Sequence, residues 1–251
     1  MIYKKEWVFL GCLKRRFMLN LEHTILKEPT MKHSQFPSVT VVQHPLAQHN
    51  LAVIREKNAR GDIFKSAFNR LASILLIEAM KILPLKSEEI ETPLMKTSVQ
   101  KVDSDYTVLF VPILRAGLGL SESALNLFPD AKVCHIGMYR DEKTFCPVWY
   151  YDKSPAQFDN PDKIKVFILD PMLATGGSAL AAVELMLKKG ILSENIVFVS
   201  VLSAPEGLQK LSAAYPGLQI VTTAIDDKLN ERAYIMPGLG DAGDRLFNTD
   251  N

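Results

Sequence analysis

The strongest constraint on this chain is a set of short apolar runs that alternate with helical patterns. Thr107-Val108-Leu109-Phe110-Val111 is continuously apolar, as a strand buried on both faces should be. Pro112 to Gly119 turns the chain, and a helix follows to about Phe128. Lys132 to Met138 reads as a second strand and Ile164 to Leu169 as a third. The helix from Ser178 to Lys189 then ends at Gly190, a residue suited to the left-handed position that closes helices. Asn195 to Leu202 is a fourth strand, and Leu218 to Ala224 a fifth after a helix near Glu206 to Ala214. This alternation predicts an α/β fold, a mainly parallel twisted sheet flanked by helices on both faces. Ligands of such sheets bind at the carboxyl ends of the strands.

Other segments are less regular. Phe64, Ala67, Phe68, Leu71, Leu75 and Ile82 recur at helical spacing and predict a long helix from about Ile63, capped by Asp62 and ended by Pro84. Residues 86–105 are polar and mixed, with Pro93 interrupting. Tyr139 to Asn160 is too long for a plain connector and carries Trp149-Tyr150-Tyr151. A β-hairpin arm is expected there. The tail from Tyr234 is rich in Gly and Asp and is expected to end without a helix.

The 251 residues, 47% of them hydrophobic, suit one compact domain with appendages. Lys plus Arg number 29 against 28 Asp plus Glu. That balance argues against a nucleic-acid partner, which draws on clustered positive charge, yet leaves room for a local basic pocket. Cys12, Cys134 and Cys146 are odd in number and form no Cys-x-x-Cys pair, so neither a disulfide framework nor a zinc site is indicated. Reduced thiols and a cytoplasmic location are expected. Trp7 to Leu13 is a short apolar run followed at once by Lys14-Arg15-Arg16, a poor signal peptide. No stretch approaches the ~20 apolar residues of a membrane span, so no membrane partner is expected. Residues 1–37 read as an extension outside the fold, with Met18 and Met31 as alternative starts, and residues 38–251 as one domain.

The sharpest chemical signal is Asp170-Pro171-Met172-Leu173-Ala174-Thr175-Gly176-Gly177-Ser178, between a buried strand and a helix. The two glycines let the backbone approach an anion and adopt positive φ. The first amides of the next helix are unpaired and lie at the positive end of its dipole, which favours phosphate. Thr175 and Ser178 add hydroxyls. Asp170 stands where ribose hydroxyls or a hydrated Mg²⁺ could be held. The alternative is a plain glycine turn with Ser178 as helix cap. Gly-Lys-Ser/Thr is missing, so this is not a nucleotide P-loop.

That loop resembles the phosphoribosyl-pyrophosphate (PRPP) loop of uracil phosphoribosyltransferases. Three further segments match in order and spacing: Val111-Pro-Ile-Leu-Arg-Ala-Gly-Leu-Gly119, Gly137-Met-Tyr-Arg-Asp141 and Tyr234-Ile-Met-Pro-Gly-Leu-Gly-Asp-Ala-Gly-Asp-Arg245. His44-Pro45, Glu91-Thr92-Pro93 and Ala204-Pro-Glu-Gly207 add to them. The likeness spans about residues 39–248. It implies a phosphoribosyltransferase-type fold with a β-arm and a C-terminal base-binding tail. The implied activity is pyrimidine salvage: uracil plus PRPP giving UMP and diphosphate.

By the resemblance, Arg115, Arg140, the loop from Asp170 to Ser178, and Asp241 bind PRPP. Ile235, Gly240, Asp241 and Ala242 read uracil, largely through main-chain groups. Arg115, Asp170 and Asp241 are the residues expected to carry the chemistry. Mg²⁺ is the implied cofactor, held mainly through PRPP and water rather than by direct protein ligation. The family also implies a homo-oligomer, dimer or tetramer, and admits GTP as an allosteric effector.

Pro171 and Ala174 stand where the wider fold family carries acids, so no general base is named. His23, His33, His44 and His49 lie in the N-terminal region, and His135 sits in an expected strand. Residues 94–102, Phe145-Cys146 and Trp149 depart from the family pattern. A second reading is a nucleotide-sensing regulator on the same fold. It would need a basic face, and the charge balance gives no sign of one.

Overall fold

The computed structural model describes residues 30–140 and 147–249. The chain begins with β1 (Thr30–Lys32), β2 (Val39–Val42), α1 (Pro45–Arg55) and α2 (Gly61–Ala79). A hairpin of β3 (Leu85–Glu91) and β4 (Lys96–Val102) precedes β5 (Thr107–Leu114) and α3 (Gly117–Leu127). Then come β6 (Lys132–Val133), β7 (Ile136–Arg140), β8 (Pro147–Asp152), β9 (Ile164–Leu169), β10 (Met172–Leu173) and α4 (Gly177–Lys188). The C-terminal part is β11 (Ile196–Ser203), α5 (Pro205–Ala214), β12 (Gln219–Ile225), β13 (Lys228–Leu229), β14 (Ile235–Met236) and α6 (Ala242–Phe247).

The main sheet runs β1-β2-β12-β11-β9-β5-β7-β8. Pairing is parallel from β2 to β7 and antiparallel at both edges. This is the expected α/β architecture. Its cause shows in the strand sequences. In β9, Phe167 and Leu169 face one apolar layer while Val166 and Ile168 face the other. In β5, Val108 and Phe110 alternate with Leu109 and Val111 in the same way. Helices α1, α2 and α3 cover the first face, and α4 and α5 the second. A strand that feeds two layers has no polar side to spare, hence the unbroken apolar runs.

Several expectations need correction. Asp62 lies in the first turn of α2 and does not cap it; Arg60 holds the cap position and its side chain does not cap the helix. The second strand splits into β6 and β7, with Cys134 and His135 between them. Residues 85–102 form the β3–β4 hairpin, closed by Thr92, whose Oγ1 accepts from the amides of Leu94 and Met95. The tail does contain a helix, α6, capped by Asp241, whose side chain accepts from the Asp244 amide. β1 falls in the stretch assigned to an extension, yet it pairs with β2, so the sheet reaches back at least to Thr30. The β-arm is present as the antiparallel pair β7 and β8. Residues 1–29 and 141–146 lie outside the described residues, and with them Cys12, Asp141, Phe145 and Cys146.

The functional end of the sheet is set by register. Pro112 is level with Leu169, so the turn after β5 and the loop after β9 leave the sheet side by side. Their approach is very close: a Cβ on Gly117 would overlap the Leu169 carbonyl oxygen.

Candidate active site

The loop after β9 is tied down first by β11. The Pro171 carbonyl accepts from the amides of Val201 and Leu202 at 2.9 and 3.0 Å, and that of Leu173 from the Ala204 amide at 2.8 Å. The Leu173 amide donates to Ser200 Oγ at 3.2 Å. Pro171 and Leu173 are therefore buried and support the loop with their side chains turned into the fold. The second half then rises to α4. Gly176 is the cap residue at φ +75. Its carbonyl already accepts the first helical bond from Leu180, which leaves the amides that open α4 without intrahelical partners.

α5 presses on this loop from behind. A Cβ on Gly207 would overlap the Ala174 carbonyl oxygen, and one on Gly176 would stand 3.0 Å from the Gly207 carbonyl. The Ala204-Pro-Glu-Gly207 stretch thus has a physical reason. Pro205 starts α5, and Gly207 lets its first turn lie against the loop.

Asp170 is the electrostatic centre. The residue as a whole is half-buried, while its carboxyl is enclosed by protein and accepts from the Met172 amide at 3.3 Å. Burial pushes it up to about 7, and the Met172 amide offsets this only in part. A carboxylate desolvated in this way is poised to take a cation or hydroxyl donors.

Asp170 and Asp241 line two adjoining cavities. The first, about 210 Å³, also carries Met172, Ala174, Ile235, Gly240 and Ala242. The second, about 420 Å³, carries Arg115, Ser178 and the arm residues Tyr139 and Tyr150. Ala116 and Gly243 complete the shared wall. Asp170, Met172, Ala174 and Ser178 of the loop thus meet the β5 turn and the tail in one groove at the carboxyl ends of β5 and β9. Thr175, Gly176 and Gly177 lie outside the lining of these two cavities, at the start of α4. Arg140 ends β7.

Arg115 follows a cis Leu114–Arg115 peptide and is more than half exposed. Its guanidinium donates to Asp244 Oδ1 at 2.8 Å. Hydrogen bonds from Thr249 and from Arg115 hold the Asp244 carboxyl below the usual range. Arg115 therefore rests on an anion supplied by the tail.

The profile of the family described as uracil phosphoribosyltransferase matches residues 41–249. The chain belongs to that family. It is 49% identical over 209 residues to the uracil phosphoribosyltransferase of Lactiplantibacillus plantarum, covering 83% of this chain and 97% of that one. The uracil phosphoribosyltransferase of Streptococcus mutans is 50% identical over the same shares, and that of Dictyoglomus turgidum is 48% identical over 84% and 99%. Among solved structures, the AQ2163 protein of Aquifex aeolicus superposes with a TM-score of 0.76 at 35% identity, covering 83% of this chain and 97% of that one. The whole groove, from Arg115 to Gly243, lies within the span matched to uracil phosphoribosyltransferases.

Reading the sequence left out Arg55, Asp226, Asp244 and Arg245 as working residues. Arg55 and Asp226 are 171 positions apart, so no local pattern could pair them. Asp244 and Arg245 lie in the Tyr234–Arg245 segment, whose glycines carry the stronger local signal.

Proposed function

We propose that this protein transfers the 5-phosphoribosyl group of PRPP to N1 of uracil, giving UMP and diphosphate. The observation that carries the reading is the meeting of a phosphate-type loop and the 235–242 tail on one groove around Asp170 and Asp241. Family membership narrows the acceptor to uracil. No observation favours the regulator.

The reaction is a pentosyl transfer. The bond from ribose C1 to the diphosphate oxygen breaks and the bond from C1 to uracil N1 forms, while the N1 proton is lost. Charge builds on the leaving diphosphate as the sugar becomes oxocarbenium-like. Placement and electrostatics are therefore the protein's main work. The unpaired amides opening α4, with the hydroxyls of Thr175 and Ser178, hold the 5-phosphate. Arg115 offers its planar fork to the diphosphate, exchanging the Asp244 carboxylate for phosphate oxygens. Arg140, which ends β7, is assigned to the same group by the family resemblance.

Asp170 and Asp241 would meet the ribose hydroxyls and, through water, a Mg²⁺ carried in by the donor. Both carboxylates line the shared groove, and the thinly bonded Asp170 has lone pairs to give, so the donor set fits a hard cation. Mg²⁺ would supply charge neutralisation of the diphosphate.

Uracil is read by the main chain of Ile235, Gly240, Asp241 and Ala242. Its O2, N3–H and O4 alternate acceptor, donor and acceptor. Cytosine inverts part of that pattern and leaves buried groups unpaired, at about 1–3 kcal/mol each. Pro171 and Ala174 offer no acid for base catalysis, and N1–H of uracil is acidic enough to do without a strong base.

The test is direct. Incubation with PRPP, Mg²⁺ and each of uracil, cytosine, hypoxanthine and orotate should form nucleotide with uracil alone. No UMP from uracil would end the proposal. Assembly into a dimer or tetramer accords with the exposed Trp149, Tyr150 and Tyr151 on the arm and is read by light scattering. A GTP response rests on the family alone and is read by repeating the assay with GTP. A cytoplasmic site is consistent with there being no helix among the described residues long and apolar enough to cross a membrane.

A further inference from the structure

The tail that reads the base has little regular structure of its own. Between β14 and α6 it bends through a cis Met236–Pro237 peptide and two positive-φ glycines, Gly238 at +65 and Gly240 at +82. Main-chain recognition demands that such a segment be held still, because misplacement by about 1 Å can cost a hundredfold in rate. Two apolar anchors, Ile235 and Leu239, are each 4% exposed in the core. The polar groups of the bend need partners as well.

Those partners come from a distant ion pair. Asp226 follows β12 and is 5% exposed. Its Oδ1 accepts from Arg55 Nη2, at the end of α1. Its Oδ2 accepts from Arg55 Nη1 at 2.8 Å and from the Gly238 amide at 2.8 Å. Arg55 Nη1 also donates to the Gly238 carbonyl at 2.8 Å. One fork-to-fork pair thus grips a single residue at both its N–H and its C=O. The grip admits glycine alone, since a Cβ on Gly238 would overlap the Ile235 carbonyl. Neither Arg55 nor Asp226 lines the cavity carrying Ile235, Gly240, Asp241 and Ala242. Arg55 instead lines an adjoining cavity of about 320 Å³ with Gly238, Gly240 and Asp241, so it meets the tail from the other side.

We propose that Arg55 and Asp226 are positioning residues for base recognition: through Gly238 they set where the main-chain groups of Ile235 and Gly240–Ala242 stand, and with them the discrimination of uracil from other bases. This rests on the tail being the uracil-reading segment. A guanidinium suits the task because its planar fork holds Asp226 and the Gly238 carbonyl together. A lysine at position 55 has no second nitrogen to pair with Asp226 Oδ1 while the first serves Oδ2 and the Gly238 carbonyl, so the two-pronged hold on the carboxylate is lost.

The test is steady-state kinetics on full-length variants, with thermal melting of each. Arg55→Lys should raise KM for uracil about tenfold, and Asp226→Asn about thirtyfold or more. KM for PRPP should stay within about threefold of wild type in both. The preference for uracil over cytosine should fall in the same order. Asn195→Ser removes another buried polar contact, to Lys165, away from the groove. It should lower the melting temperature while leaving KM for uracil unchanged.

If folded Arg55→Lys and Asp226→Asn keep the wild-type KM for uracil, the clamp is merely structural and the proposal falls. Should Asp226→Asn fail to fold, Arg55→Lys decides. A wild-type enzyme inactive on uracil would overturn the base reading itself. An active wild type with unaffected variants overturns only the clamp.

Discussion

The loop from Asp170 to Ser178 and the tail from Ile235 to Ala242 face the same groove but are built on different plans. The loop is local architecture. A strand delivers it, a helix receives it, and β11 ties its backbone within a few residues of its start. The tail is held at long range. Arg55 and Asp226 grip Gly238, while Arg245 reaches back to the carbonyls of Glu56 and Ala59 at 2.7 and 2.8 Å and lies 4.3 Å over the Phe64 ring. A phosphate site needs amides and a dipole, which any strand–loop–helix can present. A base site needs donors and acceptors in one fixed order, and on the reading proposed above remote side chains supply that precision.

The comparison can be broken most forcibly at Asp170. Asp170→Asn should lower kcat about a hundredfold or more, with the circular dichroism spectrum unchanged. Unaltered turnover would remove Asp170 from the site.

Next come paired glycine substitutions. Gly207→Ala pushes on the Ala174 carbonyl and should raise KM for PRPP about tenfold, leaving KM for uracil nearly unchanged. Gly238→Ala pushes on the Ile235 carbonyl at a strained φ and should do the reverse. Gly217→Ala, with open space around its Cβ, is the control. If both active substitutions move the same constant, the two regions are not separate functional units.

A third measurement is the pH profile. Asp170 keeps its proton to about 7 in the folded chain, against 3.8 for a free carboxyl. The folded state therefore binds more protons between those values, and stability falls as pH rises across that window, then levels off. Melting temperatures of the wild type should decline from about pH 4 to about 7 relative to Asp170→Asn. If Asp170 meets the donor as a carboxylate, as proposed, kcat/KM for PRPP should fall about tenfold per unit below pH 7. A flat profile between pH 5 and 8 would contradict this.

The smallest effect is expected at Asp244. Its partner Arg115 is exposed and Asp244 itself only half-buried, so Asp244→Asn should change stability by under about 1 kcal/mol. The same change should strengthen PRPP binding modestly, by freeing Arg115. Weaker PRPP binding would mean that Asp244 orients Arg115 rather than competing for it.

How legible the fold was in the sequence follows the same division. β9 has the predicted boundaries because Ile164 to Leu169 feeds both apolar layers, and β11 and β12 fall within a residue or so of expectation for the same reason. The β3–β4 hairpin left no such trace. Its strands are exposed on both faces apart from Ile90, Val99 and Val102, so no alternation marks them. α6 was hidden by brevity and by Gly243 in its first turn, though Asp241 three residues before Asp244 was a usable capping signal. In the site, Arg115, Asp170, Ser178 and the tail were legible because their motifs are contiguous. The clamp was not, because pairing Arg55 with Asp226 requires knowing that α1 ends beside the end of β12.

The contact of Gly117 with the Leu169 carbonyl acts as a ruler. It is made of peptide groups, flanked by the Pro112–Leu169 register, and leaves no side chain to trim or enlarge. The separation between the turn bearing Arg115 and the loop headed by Asp170 is therefore a gauge that holds only while position 117 carries no side chain. A member of this fold that came to accept a longer or shorter donor would have to change at the arm or the tail, where spans are set by side chains, and would keep this one distance as it is.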